Sequence, residues 1–173
     1  MFAVGCATRG KVSSVKDESY TGKLERVLVV YQGKAATKRT DTTATLGRNF
    51  QQRLGQRLAD SLSRQSIPSE TAGLDESAVD RDAPVKMAVA RFEPKQVLYA
   101  SVSQISGTST LVWVNRNDFP YSTHNVLITL EFEVTDVASD KTVWRSSVSF
   151  YSAPGVETAA DQVLSELQKA KLL

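Results

Sequence analysis

One cysteine and one histidine among 173 residues leave little room for metal or redox chemistry. A single Cys forms no intrachain disulfide, and without a second His or Cys only oxygen-ligand sites for hard cations remain. No apolar stretch approaches the roughly 18 residues of a membrane-spanning helix. Charge is nearly balanced, with 21 Lys+Arg against 19 Asp+Glu and a net of +2, which does not point to nucleic acid. Aromatics are sparse at 8%, but 41% of the residues are hydrophobic, too many for a disordered chain. This length and composition suit one globular domain, at roughly 100–200 residues per domain.

The lone Cys has a distinctive setting. Residues 1–6 read MFAVGC, with small residues directly before Cys6 after an apolar start. This resembles the end of a bacterial lipoprotein signal. In that family the peptidase cuts before the Cys, whose thiol and amine are then acylated. The resemblance implies lipid attachment at Cys6. It also favours the periplasmic face of the outer membrane, because Ala7 is not the Asp that retains many such proteins at the inner one. Ala3 stands where Leu is commoner. The charged n-region and most of the apolar h-region are absent, so either the start is placed late or the chain is trimmed. Residues 7–23 are polar and weakly periodic. The expectation is therefore a signal remnant and flexible tether over 1–23, followed by a single domain over 24–173.

Within that domain, residues 26–32 (RVLVVYQ) have the β-branched composition of a buried strand. Leu46, Phe50, Leu54, Leu58 and Leu62 recur every four residues, an apolar stripe on a helix of about twenty residues. Thr43 or Thr45 is the candidate cap, and Gly47 and Gly55 mark points of close packing. A short edge strand is expected over 67–74, limited by Pro68, and helical pieces over 75–91, the last opened by Pro84. Strands follow over 96–105 and, by extension, 110–115, with a loop over 116–122. The clearest strand is 126–134 (VLITLEFEV), apolar at every even position. A turn at 137–141 returns the chain as a strand over 142–151. Matching the apolar faces sets Val134 opposite Trp144, Leu130 opposite Val148 and Ile128 opposite Phe150, with Glu133 against Arg145 on the other face. Residues 157–172 form an amphipathic helix with Val163, Leu164 and Leu167 inward. The fold class is α/β (α+β-like): a two-layer sandwich whose mixed sheet has four to five strands, with helices mainly on one face.

The lipobox-like Cys, the strand and long helix, the hairpin VLITLEFEVTDVASDKTVWRSSVSF and the terminal helix together resemble small periplasmic lipoproteins of Gram-negative bacteria. The stretch from Thr135-Asp136 to Trp144-Arg145 is similar to the "D…GK.VW" hairpin of penicillin-binding-protein activator, curli-secretion and polysaccharide-export accessory lipoproteins. Ser139-Asp140 replaces the usual small-Gly turn. The resemblance implies a non-catalytic accessory role and selects no single family.

No catalytic or cofactor motif emerges. Gly33-Lys34 lacks the preceding Gly of a phosphate loop, since Leu28 stands there. His124 has no nucleophile context around it. Asp75, Glu76, Asp80 and Asp82 lack the calcium-loop pattern. Glu131 and Glu133 share a strand face about 7 Å apart, the one arrangement on which a hydrolase reading rests.

Charge is unevenly spread. Residues 1–65 carry twelve basic and five acidic groups, residues 66–173 nine and fourteen. Arg53, Arg57 and Arg64 lie within about 60° on the first helix, with Asp60 in pairing range of Arg57 or Arg64. They offer a basic face to anionic lipid or an acidic partner, or a soluble face with internal ion pairs. The charge polarity also favours head-to-tail self-association, hence a homo-oligomer. Trp113, Arg116, Phe119 and Tyr121 surround a Pro-containing loop and form either a contact surface or a satellite core. The reading that unites these features is a lipid-anchored periplasmic protein that docks onto an envelope protein or assembly. Secretion, polysaccharide export and cell-wall synthesis are its candidate settings. No cofactor, metal or nucleic acid is implied. The alternatives are a glycan or small-molecule binding module of the envelope and, behind it, a hydrolase using Glu131 or Glu133.

Overall fold

Val27, Leu28, Val29 and Val30 expose no surface. Such a run must be covered on both faces, which is the position of a central parallel strand. A computed structural model shows this arrangement. It describes residues 9–32, 41–74, 79–112, 121–150 and 155–173, with side chains except at 9–10, 32, 41–48, 104–112 and 121–127. The elements are β1 (Arg9–Lys16), β2 (Val27–Gln32), α1 (Asp41–Arg64), β3 (Ser69–Gly73), α2 (Ala83–Phe92), β4 (Gln96–Val112), β5 (Tyr121–Asp136), β6 (Lys141–Phe150) and α3 (Val156–Lys169).

They build one mixed sheet in the order β1-β6-β5-β4-β2-β3. β2 is parallel to both β3 and β4, and every other pair is antiparallel. On one face Val27 and Val29 join Leu54, Leu58 and Leu62 of α1 and Val163 and Leu167 of α3, together with Leu98, Leu130, Phe132, Trp144 and Val148. On the other face Leu28, Val30 and Val97 meet Val85 and Ala88 of α2. Two helices thus share one face and the third covers only the parallel strands. The α/β sandwich expected from sequence is present.

The register of the late hairpin follows from its alternation. Val134 pairs Trp144, Leu130 pairs Val148, Ile128 pairs Phe150 and Glu133 pairs Arg145. The turn works without glycine because Asp140 itself takes the left-handed conformation, at φ 51°, which Asp tolerates better than most residues. The Asp136 carboxylate accepts from the Ser139 amide at 3.0 Å and its hydroxyl at 2.7 Å.

Four expectations are corrected. The sheet has six strands, not four to five, because Arg9–Lys16 pairs with β6 instead of forming part of a flexible tether. Only Val12 packs partly against the core and Val15 is 68% exposed, so this edge strand carries almost no apolar alternation to announce it. The fully buried Trp144 indole donates to Ser14 Oγ at 2.9 Å. Residues 17–26 are tied down too: Leu24 N donates to Leu172 O at 2.8 Å, and the buried Gln96 side chain bridges the Glu25 amide and the Tyr20 hydroxyl. Thr43 and Thr45 lie inside α1, which starts at Asp41, so neither caps it. β5 begins at Tyr121, inside the expected loop, and β4 runs unbroken to Val112. α3 ends at Lys169, and Lys171 beyond it has a positive φ of 56°.

Close packing at Gly55 is observed, with Gly73 as its counterpart. The Tyr31 ring lies between α1 and β3, where a Cβ on Gly73 would meet Tyr31 Cζ at 2.6 Å and one on Gly55 would meet Cδ1 at 3.0 Å. Gly73→Ala should cost about 1–3 kcal/mol in urea unfolding, as overpacking does, and the cost should largely vanish in a Tyr31→Ala background. Deleting residues 1–16 in a Trp113→Phe background should red-shift the emission of Trp144, because β1 shields that indole. Unchanged emission would show that β1 does not dock.

Candidate functional site

Past β4, among the described residues, helices cover only one face of the sheet. The other face presents Tyr99 and Ser101 from β4, Glu131 and Glu133 from β5, Arg145 and Ser147 from β6, and Ser13 and Val15 from β1, around a shallow concavity of about 670 Å³. Strand alternation puts them there: they are the residues between the inward Leu98, Ala100, Leu130, Phe132, Trp144 and Val148.

Arg145 Nε donates to Glu133 Oε2 at 3.1 Å and Nη2 to Oε1 at 3.3 Å, while the Thr142 hydroxyl also donates to Oε1. Glu133 is therefore held from two sides. Glu131, two residues away, is exposed and makes no ion pair among the described residues. Tyr99 is paired with Glu133 in register and 39% exposed. Partial burial, and after it the negative charges of Asp82, Glu133 and Asp140, push its phenol above the ordinary range near 10. Tyr99 thus stays neutral and able to donate. The face is a platform of hydroxyls and carboxylates around one aromatic ring.

The basic residues of α1 are split by burial. Arg53 is exposed, whereas Arg57 is half-buried, its Nε enclosed without a hydrogen-bond partner among the described residues. Asp60 accepts from Gln56 Nε2 at 3.1 Å, and not from Arg57 or Arg64. Asp80 lies ahead of α2 and pairs with Lys86 at 3.1 Å, while Asp75 and Glu76 fall outside the described residues. Among the described residues no group of His, Cys, Asp and Glu is placed to hold a metal, and no helix is long and apolar enough to cross a membrane.

Cys6, Trp113, Arg116 and Phe119 lie outside the described residues, and Tyr121 is described only as the first residue of β5. Register nevertheless places their neighbours. Arg9 pairs Phe150, Phe150 pairs Ile128 and Ile128 pairs Ile105, a row at one end of the sheet. From that row β4 and β5 continue, with no other strand beside them among the described residues, as a two-stranded arm to the Val112–Tyr121 pair. Seven residues of β5 at about 3.3 Å each carry the arm roughly 23 Å beyond the row. The chain enters the sheet at Arg9, at the same end. Tyr99 was missing from the sequence-based site because its side of β4 continues as Ser101 and Ser103, and Ser13 and Val15 because β1 carries too little apolar signal to be recognised as part of the sheet.

No family model matches the chain, and no curated protein matches its sequence. Solved structures do share its fold. A dodecamer of a single-substitution PelC from Paraburkholderia phytofirmans superposes with a TM-score of 0.53 at 16% identity, over 92% of this chain and 98% of that one. A second PelC dodecamer from the same organism gives 0.51 at 15% identity, over 91% and 96%. A lipoprotein from Neisseria meningitidis aligns at 0.43 and 12% identity, over 84% and 96%, a distance that carries no argument. At such identities the likeness is one of fold.

The Glu133–Arg145 pair is mostly solvent-exposed, with 36% and 68% of the side chains accessible. A double-mutant cycle with Glu133→Gln and Arg145→Gln should give a coupling of about 0.2–1 kcal/mol, falling towards zero in 1 M salt, where the Debye length is about 3 Å.

Proposed function

We propose that this protein is a lipid-anchored accessory component of the bacterial envelope that works as a symmetric oligomer and binds without catalysing a reaction. The observation that carries this reading is the shared end of the sheet from which both the N-terminal chain and the β4–β5 arm emerge. Cys6 lies three residues ahead of Arg9, a reach of at most about 11 Å. With that Cys acylated the domain sits close to the bilayer, and the longer arm points toward the membrane surface; the sequence between its two strands contains Trp113, Arg116 and Phe119. Aromatic and Arg side chains are at home there, half in apolar and half in polar surroundings. Two or three acyl chains make the attachment stable where one does not.

Oligomerisation is supported by the near-complete overlap with PelC, which crystallised as a dodecamer. The PelC fold, the lipobox-like Cys6 and the hairpin similarity of residues 135–145 together favour the outer membrane and polysaccharide export as the setting. A non-catalytic role is supported by the open sheet face, where Glu133 is occupied by Arg145 and Thr142. A second reading, binding of a glycan or small envelope molecule, is favoured by Tyr99 and the hydroxyls around the 670 Å³ concavity.

In a bacterium producing the protein behind an intact lipoprotein signal, Cys6→Ser should move it from the membrane to the soluble fraction and abolish palmitate labelling. The unaltered protein in detergent should scatter light as a multiple of 18.9 kDa. An unmodified thiol in membrane-extracted material overturns the anchoring, and a monomer at high concentration overturns the oligomer.

A further inference from the structure

A sheet edge is a row of unpaired N–H and C=O groups, and folded proteins guard it with charge, proline, bulges or brevity. Both ends of this sheet are guarded. β1 carries Arg9, Lys11 and Lys16 and has an irregular register between Arg9 and Val12. β3 is five residues long, follows Pro68 and bears Glu70, which pairs with Arg91.

The arm is different. β2 accompanies β4 only as far as the Gln32–Ser101 pair, and β6 accompanies β5 only from Ile128. Beyond these points residues 106–112 pair with 121–127 while 102–105 lie opposite 128–130, and among the described residues no strand borders the outer edges of 102–112 and 121–127. Their outer edges carry no proline and no charged residue in either stretch, and the register shift of this strand pair, between Val102 and Gln104, lies at the base of the arm and not along it. Throughout residues 96–130 only Arg116 and Asp118 are charged, in a chain that is 23% charged. The middle of the arm, Thr108, Ser109 and Thr110 opposite Asn125, His124 and Thr123, is too polar to be covered by apolar surface. Thr nonetheless favours strands. A two-stranded ribbon standing alone in water is marginally stable. This one has the composition of a strand pair that finishes its ladder elsewhere.

We propose that the arm pairs edge to edge with the arms of neighbouring copies, the free edge of β5 in one copy against the free edge of β4 in the next. The proposal rests on the anchored oligomer above and names its contact. Copies anchored in one bilayer point their arms the same way and are related by rotation about the membrane normal. Rotation about a common axis joins unlike surfaces, so β4 meets β5. Because β4 and β5 run in opposite directions within each copy, this contact is antiparallel without further adjustment. Each copy offers one edge of each kind, so repetition consumes every free edge and closes a ring of ribbons.

Hydrogen–deuterium exchange of the full lipidated chain in detergent tests this without mutation. Amides in residues 102–112 and 121–127 should be protected in the assembled protein and lose that protection on dilution to monomer, while β2 amides remain protected in both. The paired variant Thr108→Lys with Thr123→Lys should weaken self-association about tenfold or more, equivalent to about 1.4 kcal/mol, with the melting temperature of the domain unchanged. The exposed α3 variant Thr158→Lys should not weaken it. Arm amides that exchange equally in oligomer and monomer, with the Lys variant still assembling, overturn the arm contact and leave the oligomer standing. A wild-type chain monomeric at every concentration overturns both.

Discussion

A period of two along residues 128–134 is the constraint from which the rest of this fold follows. Ile128, Leu130, Phe132 and Val134 face the helices, so Thr129, Glu131 and Glu133 must face away. A slip of one residue against β6 or β4 would carry four large apolar side chains into water and two carboxylates into the core, and the alternatives are excluded by that cost. The register then propagates outward. Pairing with β6 buries Trp144, whose indole needs an acceptor, and Ser14 of β1 supplies it. The same register brings Phe150 level with Arg9, and so determines the end of the sheet at which the N-terminal chain enters.

Where burial is strong, the sequence announced the structure. The β-branched run at residues 27–30, the four-residue repeat of α1, Pro68 and Pro84 as boundaries, and the pairing of β5 with β6 all lie on heavily apolar patterns, and all are present. What was not legible is what is held by few apolar atoms. β1 is stitched on by backbone hydrogen bonds and one indole–hydroxyl contact, and its sequence RGKVSSVK reads as well for a stalk. The first residues of β5, YSTHN, show no apolar alternation to mark them as a strand. Of the candidate site, Glu131, Glu133 and Arg145 were placed correctly on one face. Tyr99 escaped notice because its neighbours Ser101 and Ser103 make that side of β4 look merely polar, and Val15 because it belongs to a strand that could not be seen.

The docking of β1 changes what the proposed attachment at Cys6 would do. A free linker of seventeen residues gives a tethered domain a reach of tens of ångströms and freedom to search. Three residues allow about 11 Å, less than half the length of the arm that leaves the sheet at the same end. If Cys6 is acylated as proposed, an anchor this short would orient the domain as well as localise it, since tipping the sheet far from the membrane normal would bring the body of the domain against the lipid head groups.

Topology explains why one half of the sheet is occupied and the other available. The β2-α1-β3 and β3-α2-β4 crossovers must place helices outside the parallel strands, and because β3 and β4 flank β2 on opposite sides, the two helices end on opposite faces. The central parallel strand β2 is thereby buried on both faces. In the antiparallel half β4, β5 and β6 are joined by direct hairpins, β1 is added at the edge by the N-terminal segment, and among the described residues α3 covers one side. Its second face, among the described residues, is left open by that connectivity. Glu131, Glu133 and Arg145 lie on that second face, while residues 102–112 and 121–127 of the arm carry no charge. A chain that spends 23% of its residues on charge and withholds them there is not keeping the arm soluble by repulsion. Its backbone groups must be satisfied by water or by another strand, and only the second makes use of the missing charges.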